Sequence, residues 1–278
     1  MITIQAALAS GAEQLRAHHA ARLEAEVLLA HVLNRSRAQL RAWPEQTLNT
    51  EQQRRFFALI ARRAGGEPVA YLTGHREFWS LDLMVNRHTL IPRPETERLV
   101  ELALARLPQD QDTRVADLGT GSGAIALAIA IERPRCNILA TDISDMALQV
   151  AQANANRLGL PNVEFRRGSW LAPLRGERFD LVASNPPYVA AADRHLAEGG
   201  LAAEPREALV AGESGVEMLS AIIDGAAEHL HRGGWLLLEH GHDQATGVAV
   251  RLRAAGFEAV SGWRDGAGIE RVAGGRRP

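Results

Sequence analysis

From Thr113 onward, short apolar runs alternate with longer stretches whose apolar residues recur at helical spacing. The strand candidates are "RVADL", "NILATD", "VEFRRG", "FDLVAS", "WLLLEH", "FEAVSGW" and "IERVAG". Helix candidates fall between them at "SGAIALAIAIER", "SDMALQVAQANANRLG", "SGVEMLSAIIDGAAEHL" and "DQATGVAVRLRAAG". Parallel neighbours in a sheet need a crossover, usually a helix. This alternation therefore restricts the region to a largely parallel sheet covered on both faces. The last two strand candidates are joined by a turn-like "RDGAG" without a helix, so they can pair antiparallel at the sheet edge.

The first 74 residues have a different character. "EAEVLLAHVL" is apolar at helical spacing, and "TEQQRRFFALIARRAGG" opens with Thr50 and Gln53 in capping-box spacing and stops at Gly65 and Gly66. No strand-like alternation occurs there, which predicts a small helical bundle over residues 1–74. "REFWSLDLMVN" then reads as a hairpin or strand-like connector within residues 75–90. Pro92 and Pro94 fix an extended entry to a helix beginning near Glu95, so residues 91–278 form the α/β domain.

Composition excludes several classes. With 46 % apolar and 23 % charged residues, the chain can bury a core of useful size. No apolar run approaches the roughly 20 residues of a membrane-spanning helix. The N-terminus lacks the basic start and unbroken apolar stretch of a signal peptide. Cys136 is the only cysteine, so no internal disulfide forms and a reducing cytoplasm is expected. The net charge of −2 argues against a protein that lives on nucleic acid. Residues 1–74 hold nine Arg against six Glu; residues 75–278 hold 22 Arg against 27 acids, and lysine is absent.

Two strand ends carry the chemistry. In "VADLGTGSGAIALAIA", Gly119, Gly121 and Gly123 lie between a strand and a helix, where glycine lets the backbone turn tightly and approach a ligand. Asp142 ends the second strand, where a carboxylate can accept both hydroxyls of a ribose; the position suits either NAD or S-adenosylmethionine. Asp117 can orient the glycine loop or a cofactor ammonium group, and a buried structural role fits it nearly as well. Ser144 is the better N-cap for the helix that follows.

The fourth strand candidate runs into "SNPPYV", where two prolines cannot continue a ladder. In a doubly wound sheet this strand neighbours the first, so its end opens beside the glycine loop. Asn185 offers a side-chain carbonyl, Pro186 a backbone carbonyl, and Tyr188 a flat aromatic surface, while Pro187 stiffens the turn. Two converging acceptors beside a plane fit a planar –NH2 group, an amide or an adenine amine. Its delocalised lone pair must be aimed at an electrophilic methyl. Glu239, His240 and His242 in "EHGH" lack the further ligands of known zinc patterns, so no metal is expected. "AADRHLAEGGLAAEPREAL" is long and irregular enough to cover a substrate.

At these residues the chain resembles the PrmC (HemK) family, the protein-glutamine methyltransferases that modify peptide chain release factors. The resemblance runs over nearly the full length: the helical N-terminal region, "REFWSLDLMVNRHTLIPRPETE", "DLGTGSGAIAL", "TDIS", "SNPPYV", "EPREAL" and "LLEHG" with "RDGAGIERV". "NPPY" is shared with adenine-amino methyltransferases; the Ile-Pro-Arg-Pro-Glu-Thr-Glu segment is more specific to this group. The resemblance implies a seven-stranded, mostly parallel, Rossmann-like class I methyltransferase sheet with a small N-terminal helical domain. It implies S-adenosyl-L-methionine as cofactor, S-adenosyl-L-homocysteine as product, and the glutamine of a Gly-Gly-Gln loop in class 1 release factors as substrate.

Carried over by position, cofactor contacts fall on Asp117, Gly119, Thr120, Gly121, Ser122, Gly123, Asp142, Ile143, Trp170 and Asn185. The substrate amide falls on Asn185, Pro186, Pro187 and Tyr188, with Asn185, Pro186 and Tyr188 catalytic. The family often has an acidic residue before the tryptophan, able to accept from the adenine amino group; Ser169 departs from that pattern. The competing readings are a glutamine methyltransferase of a ribosomal protein, an adenine-amino methyltransferase of DNA or RNA, and a non-catalytic module that docks a translation factor.

Overall fold

The computed structural model describes residues 2–197 and 199–278. The irregular segment expected to cover a substrate includes Glu198, which lies outside them. The chain divides into two compact units, Met1–His75 with Ala197–Ala203, and Arg76–Leu196 with Glu204–Pro278.

The first unit is helical: α1 (Ile4–Gln14), α2 (Ala21–Leu33), α3 (Arg37–Ala42), α4 (Thr50–Ala64) and α5 (Val69–Thr73). Ile4, Leu28, Leu29, Phe56 and Ile60 are fully buried in its core. The cap of α4 sits one residue earlier than the Thr50–Gln53 spacing predicts. Asn49 has the extended backbone a cap requires and accepts from Gln52 N at 2.8 Å, while Gln52 Oε1 accepts from Asn49 N at 3.0 Å. Thr50 is already helical, so its side chain cannot reach the free N–H groups. Buried Glu26 would be raised by desolvation, but Arg41 and Arg37 outweigh it and hold the carboxyl below its ordinary range.

Next along the chain, β1 (His75–Phe78) and β2 (Leu81–Met84) form a two-stranded hairpin. Its turn residues Trp79 and Ser80 both have positive φ, as a twisted two-residue hairpin loop demands. Two glutamates hold this non-glycine turn: Glu97 Oε1 accepts from Trp79 N, and Glu132 Oε1 from Trp79 Nε1, each at 2.9 Å. A 3-10 turn, Pro94–Thr96, leads into α6 (Glu97–Leu104).

The sheet then assembles from β3 (Thr113–Leu118), β4 (Cys136–Asp142), β5 (Val163–Arg167), β6 (Phe179–Ser184), β9 (Leu230–Glu239), β10 (Glu258–Arg264) and β11 (Glu270–Arg276). Their spatial order is β10-β11-β9-β6-β3-β4-β5. β6, β3, β4, β5 and β9 run parallel, whereas β11 is antiparallel to both β9 and β10. A parallel final strand would need a crossover; the short turn after β10 allows β11 to insert antiparallel and leaves β10 as the edge. A minor parallel pair, β7 (Val189–Ala190) and β8 (Val210–Gly212), lies beyond the end of β6.

Helices α7 (Ala124–Glu132) and α8 (Asp145–Leu158) follow β3 and β4; α9 (Glu217–Ala226) and α10 (Ala245–Ala254) flank β9. One apolar cluster joins α6, α7 and the hairpin to one face of the sheet, and a second joins α9 and α10 to the other. Residues 124–130 of α7 are all buried, and its alternation of Ala with Ile or Leu lets it sit close between sheet and neighbours. With both faces covered, the C-terminal strand ends are where the sheet meets a ligand.

Candidate active site

The chain leaves β3 through Gly119, Gly121 and Gly123, at φ +72°, +57° and +88°. Gly119 N and Thr120 N both donate to Thr141 O, at 2.9 and 2.8 Å. A Cβ on Gly121 would meet nothing within 4 Å, so this position faces open space and its left-handed backbone selects glycine. A Cβ on Gly123 would lie 2.9 Å from Leu127 Cδ1 and 3.3 Å from Ala151 Cβ, so close packing adds to the left-handed backbone in selecting glycine here.

Asp142, at the end of β4, holds the same loop from the side. Its Oδ2 accepts from Gly121 N and its Oδ1 from Ser144 N, each at 2.9 Å. Burial raises its pKa, partly opposed by those N–H groups. Ser144 caps α8, as expected.

Asp117 is fully buried beneath the loop. Its Oδ2 accepts from Thr120 Oγ1 at 2.6 Å and from Ala126 N at 3.2 Å, while its Oδ1 has no partner among the described residues. Desolvation dominates and pushes its pKa up to about 7, against those two hydrogen bonds and with the Asp142 charge adding. Asn154, buried on α8, ties the loop to the hairpin: its Nδ2 donates to Ser122 O and Met84 O, and its Oδ1 accepts from Met84 N.

A cavity of about 360 Å³ opens over the loop. Gly119, Gly121, Asp142, Ile143, Trp170, Asn185 and Pro187 line it. A Cβ on Gly119 would lie 3.4 Å from Trp170 Cζ3, so the indole covers the start of the loop. Ser169 is also on the wall. Ile143 is 60 % exposed, an apolar side chain at the rim.

Six of the expected site residues lie behind the wall rather than on it. Asp117, Thr120, Ser122 and Gly123 support the loop from beneath. Pro186 is buried. Tyr188 is half-buried against the α9 and α10 cluster, and its hydroxyl donates to Glu239 Oε1 at 3.3 Å. Asn185 Nδ2 donates to Thr96 Oγ1 at 3.1 Å. Gln244 Nε2 donates to Tyr188 O and Gly215 O, at 3.0 and 3.1 Å, clamping the exit of the turn.

More of the wall comes from one segment that sequence reasoning did not assign to the site and from the end of the irregular segment expected to cover a substrate. His88, Thr89 and Leu90 line one side; Pro205, Glu207 and Ala208 line another. Buried Glu204 staples the two segments: its Oε2 accepts from Ile91 N at 3.0 Å and its Oε1 pairs with Arg93. The signal was present in the "IPRPETE" and "EPREAL" motifs, but their meeting is tertiary. Glu239 is 1 % exposed, and desolvation pushes its pKa up to about 7, opposed by the Thr96 and Tyr188 hydroxyls and by Arg271. His240 is fully buried and donates Nδ1–H to Gly241 O, and desolvation lowers its pKa below the ordinary histidine value against that hydrogen bond.

A parallel sheet with a glycine loop after β3, a carboxylate ending β4 and an Asn-Pro-Pro-Tyr turn ending β6 defines a methyltransferase. Residues 98–214 match the methyltransferase small domain family, and residues 6–74 match the PrmC N-terminal domain. A crystal structure of a methyltransferase from Pyrococcus furiosus shares the fold, at TM-score 0.55 and 18 % identity over 78 % of this chain and 96 % of that one. The release factor glutamine methyltransferase of Xylella fastidiosa (strain Temecula1 / ATCC 700964) is 51 % identical over 257 residues, 92 % of this chain and 94 % of that protein. That of Escherichia coli (strain K12) is 48 % identical over 263 residues, 95 % of each. The chain belongs to the release factor glutamine methyltransferase family.

Proposed function

We propose that the protein transfers a methyl group from S-adenosyl-L-methionine to the side-chain amide nitrogen of the glutamine in the Gly-Gly-Gln loop of peptide chain release factors. The observation that carries the reading is the meeting of Asn185 and Pro187 with Gly119, Gly121 and Asp142 around one cavity.

The residues present suit the cofactor. Gly121 faces open space, Asp142 places a carboxylate at a strand end, and Ile143 and Trp170 give apolar walls for an adenine. Gly119 to Gly123, Asp142, Ile143 and Trp170 would hold it, with Asp117 bracing the loop. When bound, the cofactor supplies an electrophilic sulfonium methyl and departs as S-adenosyl-L-homocysteine. The protein's own task is to aim a weak nucleophile. Asn185 Oδ1 and the Pro186 carbonyl accept the two N–H bonds of the substrate amide, and Tyr188 braces the turn from behind the wall. Such positioning contributes roughly 7–11 kcal/mol. No strong base is required, because the alkylated amide nitrogen is acidic and gives its proton to water.

Charge favours an amide over a nucleobase: residues 75–278 carry 22 Arg against 27 acids, not the basic track a flipped-base enzyme needs. Residues 1–74, with nine Arg against six Glu, are assigned the docking of the protein substrate, in the cytoplasm. Among the described residues no helix is long and apolar enough to cross a membrane. The test is incubation with labelled S-adenosylmethionine and purified release factors, with a ribosomal protein, duplex DNA and ribosomal RNA as parallel substrates. Label at the Gly-Gly-Gln glutamine supports the reading; label in adenine or the ribosomal protein alone overturns it.

A further inference from the structure

The proline exit of β6 belongs to a ring of three chain segments, each tied to the next by hydrogen bonds. Asn185 Nδ2 donates to Thr96 Oγ1 at 3.1 Å, which joins the turn to the stretch between the hairpin and α6. Val189 N, just beyond the turn, donates to Leu209 O at 3.0 Å, where β7 pairs with β8. Glu204 closes the ring: its Oε2 accepts from Ile91 N at 3.0 Å and its Oε1 pairs with Arg93. None of these ties involves the glycine exit.

The sequence explains why the closing tie is a carboxylate. Ile91 and Arg93 alternate with Pro92 and Pro94, so every second residue of this stretch has no N–H and it cannot join a ladder. The N–H of buried Ile91 must still find an acceptor. On the other side Pro205, directly after Glu204, also lacks an N–H. One side chain with two acceptor oxygens therefore joins two stretches that are poorly equipped to pair through their backbones. Both oxygens are used, and the Glu204 side chain is only 2 % exposed. Beside the ties, Thr89 and Leu90 line the cavity from one segment, Glu207 and Ala208 from another, and Asn185 and Pro187 from the turn. The ring frames the part of the cavity assigned to the substrate amide.

We propose that Glu204, paired with Arg93, is a positioning residue for methyl transfer: it holds these two walls at a fixed spacing around the glutamine side chain. The inference rests on the Asn185–Tyr188 turn binding the substrate amide. A side chain entering a fixed frame has few orientations, so its nitrogen arrives aimed at the methyl group; walls that are not joined admit more of them. The cofactor is held at the glycine exit, outside the ring, and does not depend on the staple.

The test is single-turnover methyl transfer to a release factor, over a range of factor concentrations at saturating cofactor. Cofactor affinity and thermal stability are measured on the same full-length variants. Glu204→Gln keeps the size and one acceptor oxygen, but its NH2 group then faces a donor, either Ile91 N or the Arg93 guanidinium. Maximal transfer should fall about tenfold, less than the roughly 10²-fold that a 1 Å misplacement can cost. Cofactor affinity should not change. In the double variant Glu204→Gln, Arg93→Gln, one introduced amide can accept from Ile91 N and donate to the other, so most of the lost transfer should return. Should Glu204→Gln not fold, Arg93→Gln alone, at a partly exposed position, replaces a charge-assisted pairing with a neutral one and should slow transfer about threefold.

Parental transfer by Glu204→Gln, with only thermal stability lowered, would make the staple a stabilising contact and overturn the positioning role. A matching fall in cofactor affinity, or no recovery in the double variant, would overturn it too. Parental transfer by Asn185→Ala would overturn the substrate reading of the turn, and this inference with it, whatever Glu204→Gln shows.

Discussion

The chain leaves β3 through three glycines and leaves β6, its neighbour in the sheet, through two prolines. The first exit takes backbone shapes that other residues resist, and it is held by N–H groups donating to Thr141 O and Asp142. The second exit has no N–H on two successive residues, so side chains hold it: Thr96 against Asn185, Glu239 against Tyr188, Gln244 against the Tyr188 carbonyl. A loop that wraps a ligand gains from stripping away side chains. A turn that aims a weak nucleophile gains from losing torsional freedom, because misdirection at the reacting nitrogen costs rate directly. Damage to the glycine exit should therefore appear as lost cofactor affinity, and damage to the proline exit as lost transfer.

Asn185→Ala is the largest expected break. It removes one acceptor at the proline exit, so single-turnover transfer at saturating cofactor should fall about 10²–10³-fold. Calorimetry on the same variant should find only a modest change in cofactor affinity. Collapse of affinity with normal transfer at saturation would move Asn185 to the glycine side of the comparison.

Asp142→Ala tests the opposite side. It removes the carboxylate that holds Gly121 N and Ser144 N and that is assigned the ribose hydroxyls. Hydrogen bonds to a charged group contribute about 1.5–3 kcal/mol, so cofactor affinity should weaken about 10–100-fold. Transfer at saturating cofactor should suffer less than in Asn185→Ala; an equal or greater loss there would erase the distinction.

Asp117→Asn sharpens the comparison through pH. The folded protein keeps the Asp117 proton up to about 7, whereas the unfolded chain releases it in the ordinary carboxylate range. Its contribution to stability is therefore fully present at low pH and is lost as pH rises through 7. Asparagine is neutral throughout, so the stability of Asp117→Asn relative to the parent should increase by about 2 kcal/mol between pH 5 and pH 8. Urea denaturation at several pH values measures it. A pH-independent difference would mean that Asp117 stays ionised beneath the loop.

Gln244→Ala should have the smallest effect. Loss of the clamp on Tyr188 O and Gly215 O should cost about 1 kcal/mol of stability and leave cofactor affinity unchanged. A fall in cofactor affinity would show that the two exits are mechanically joined through this residue.

Much of the site was legible because it is local. Gly119 to Gly123, Asp142 and Asn185 each announce themselves within a few residues of a strand end, and Asn185 and Asp142 do share the cavity. The exit of β6 was read as a wall made of the turn itself. Instead Pro186 is buried and Tyr188 packs toward α9 and α10, so its ring and hydroxyl join the support. The α4 cap shifted by one residue because two overlapping box spacings exist there, and only backbone geometry at Asn49 chooses between them.

The sequence by itself determined the layered α/β architecture, since hydrophobic periodicity and short links leave few ways to bury both faces of a sheet. It also determined the ligand-facing strand ends, because glycine and proline act on their own backbone. Only the tertiary structure decided what stands behind and around them. Asn185 meets Thr96 across 89 residues, Tyr188 meets Glu239 across 51, and Ile91 meets Glu204 across 113. A buried carboxylate must find donors, but local sequence does not say which ones; the packing of α6, β9 and the 204–210 segment against the strand ends makes that choice.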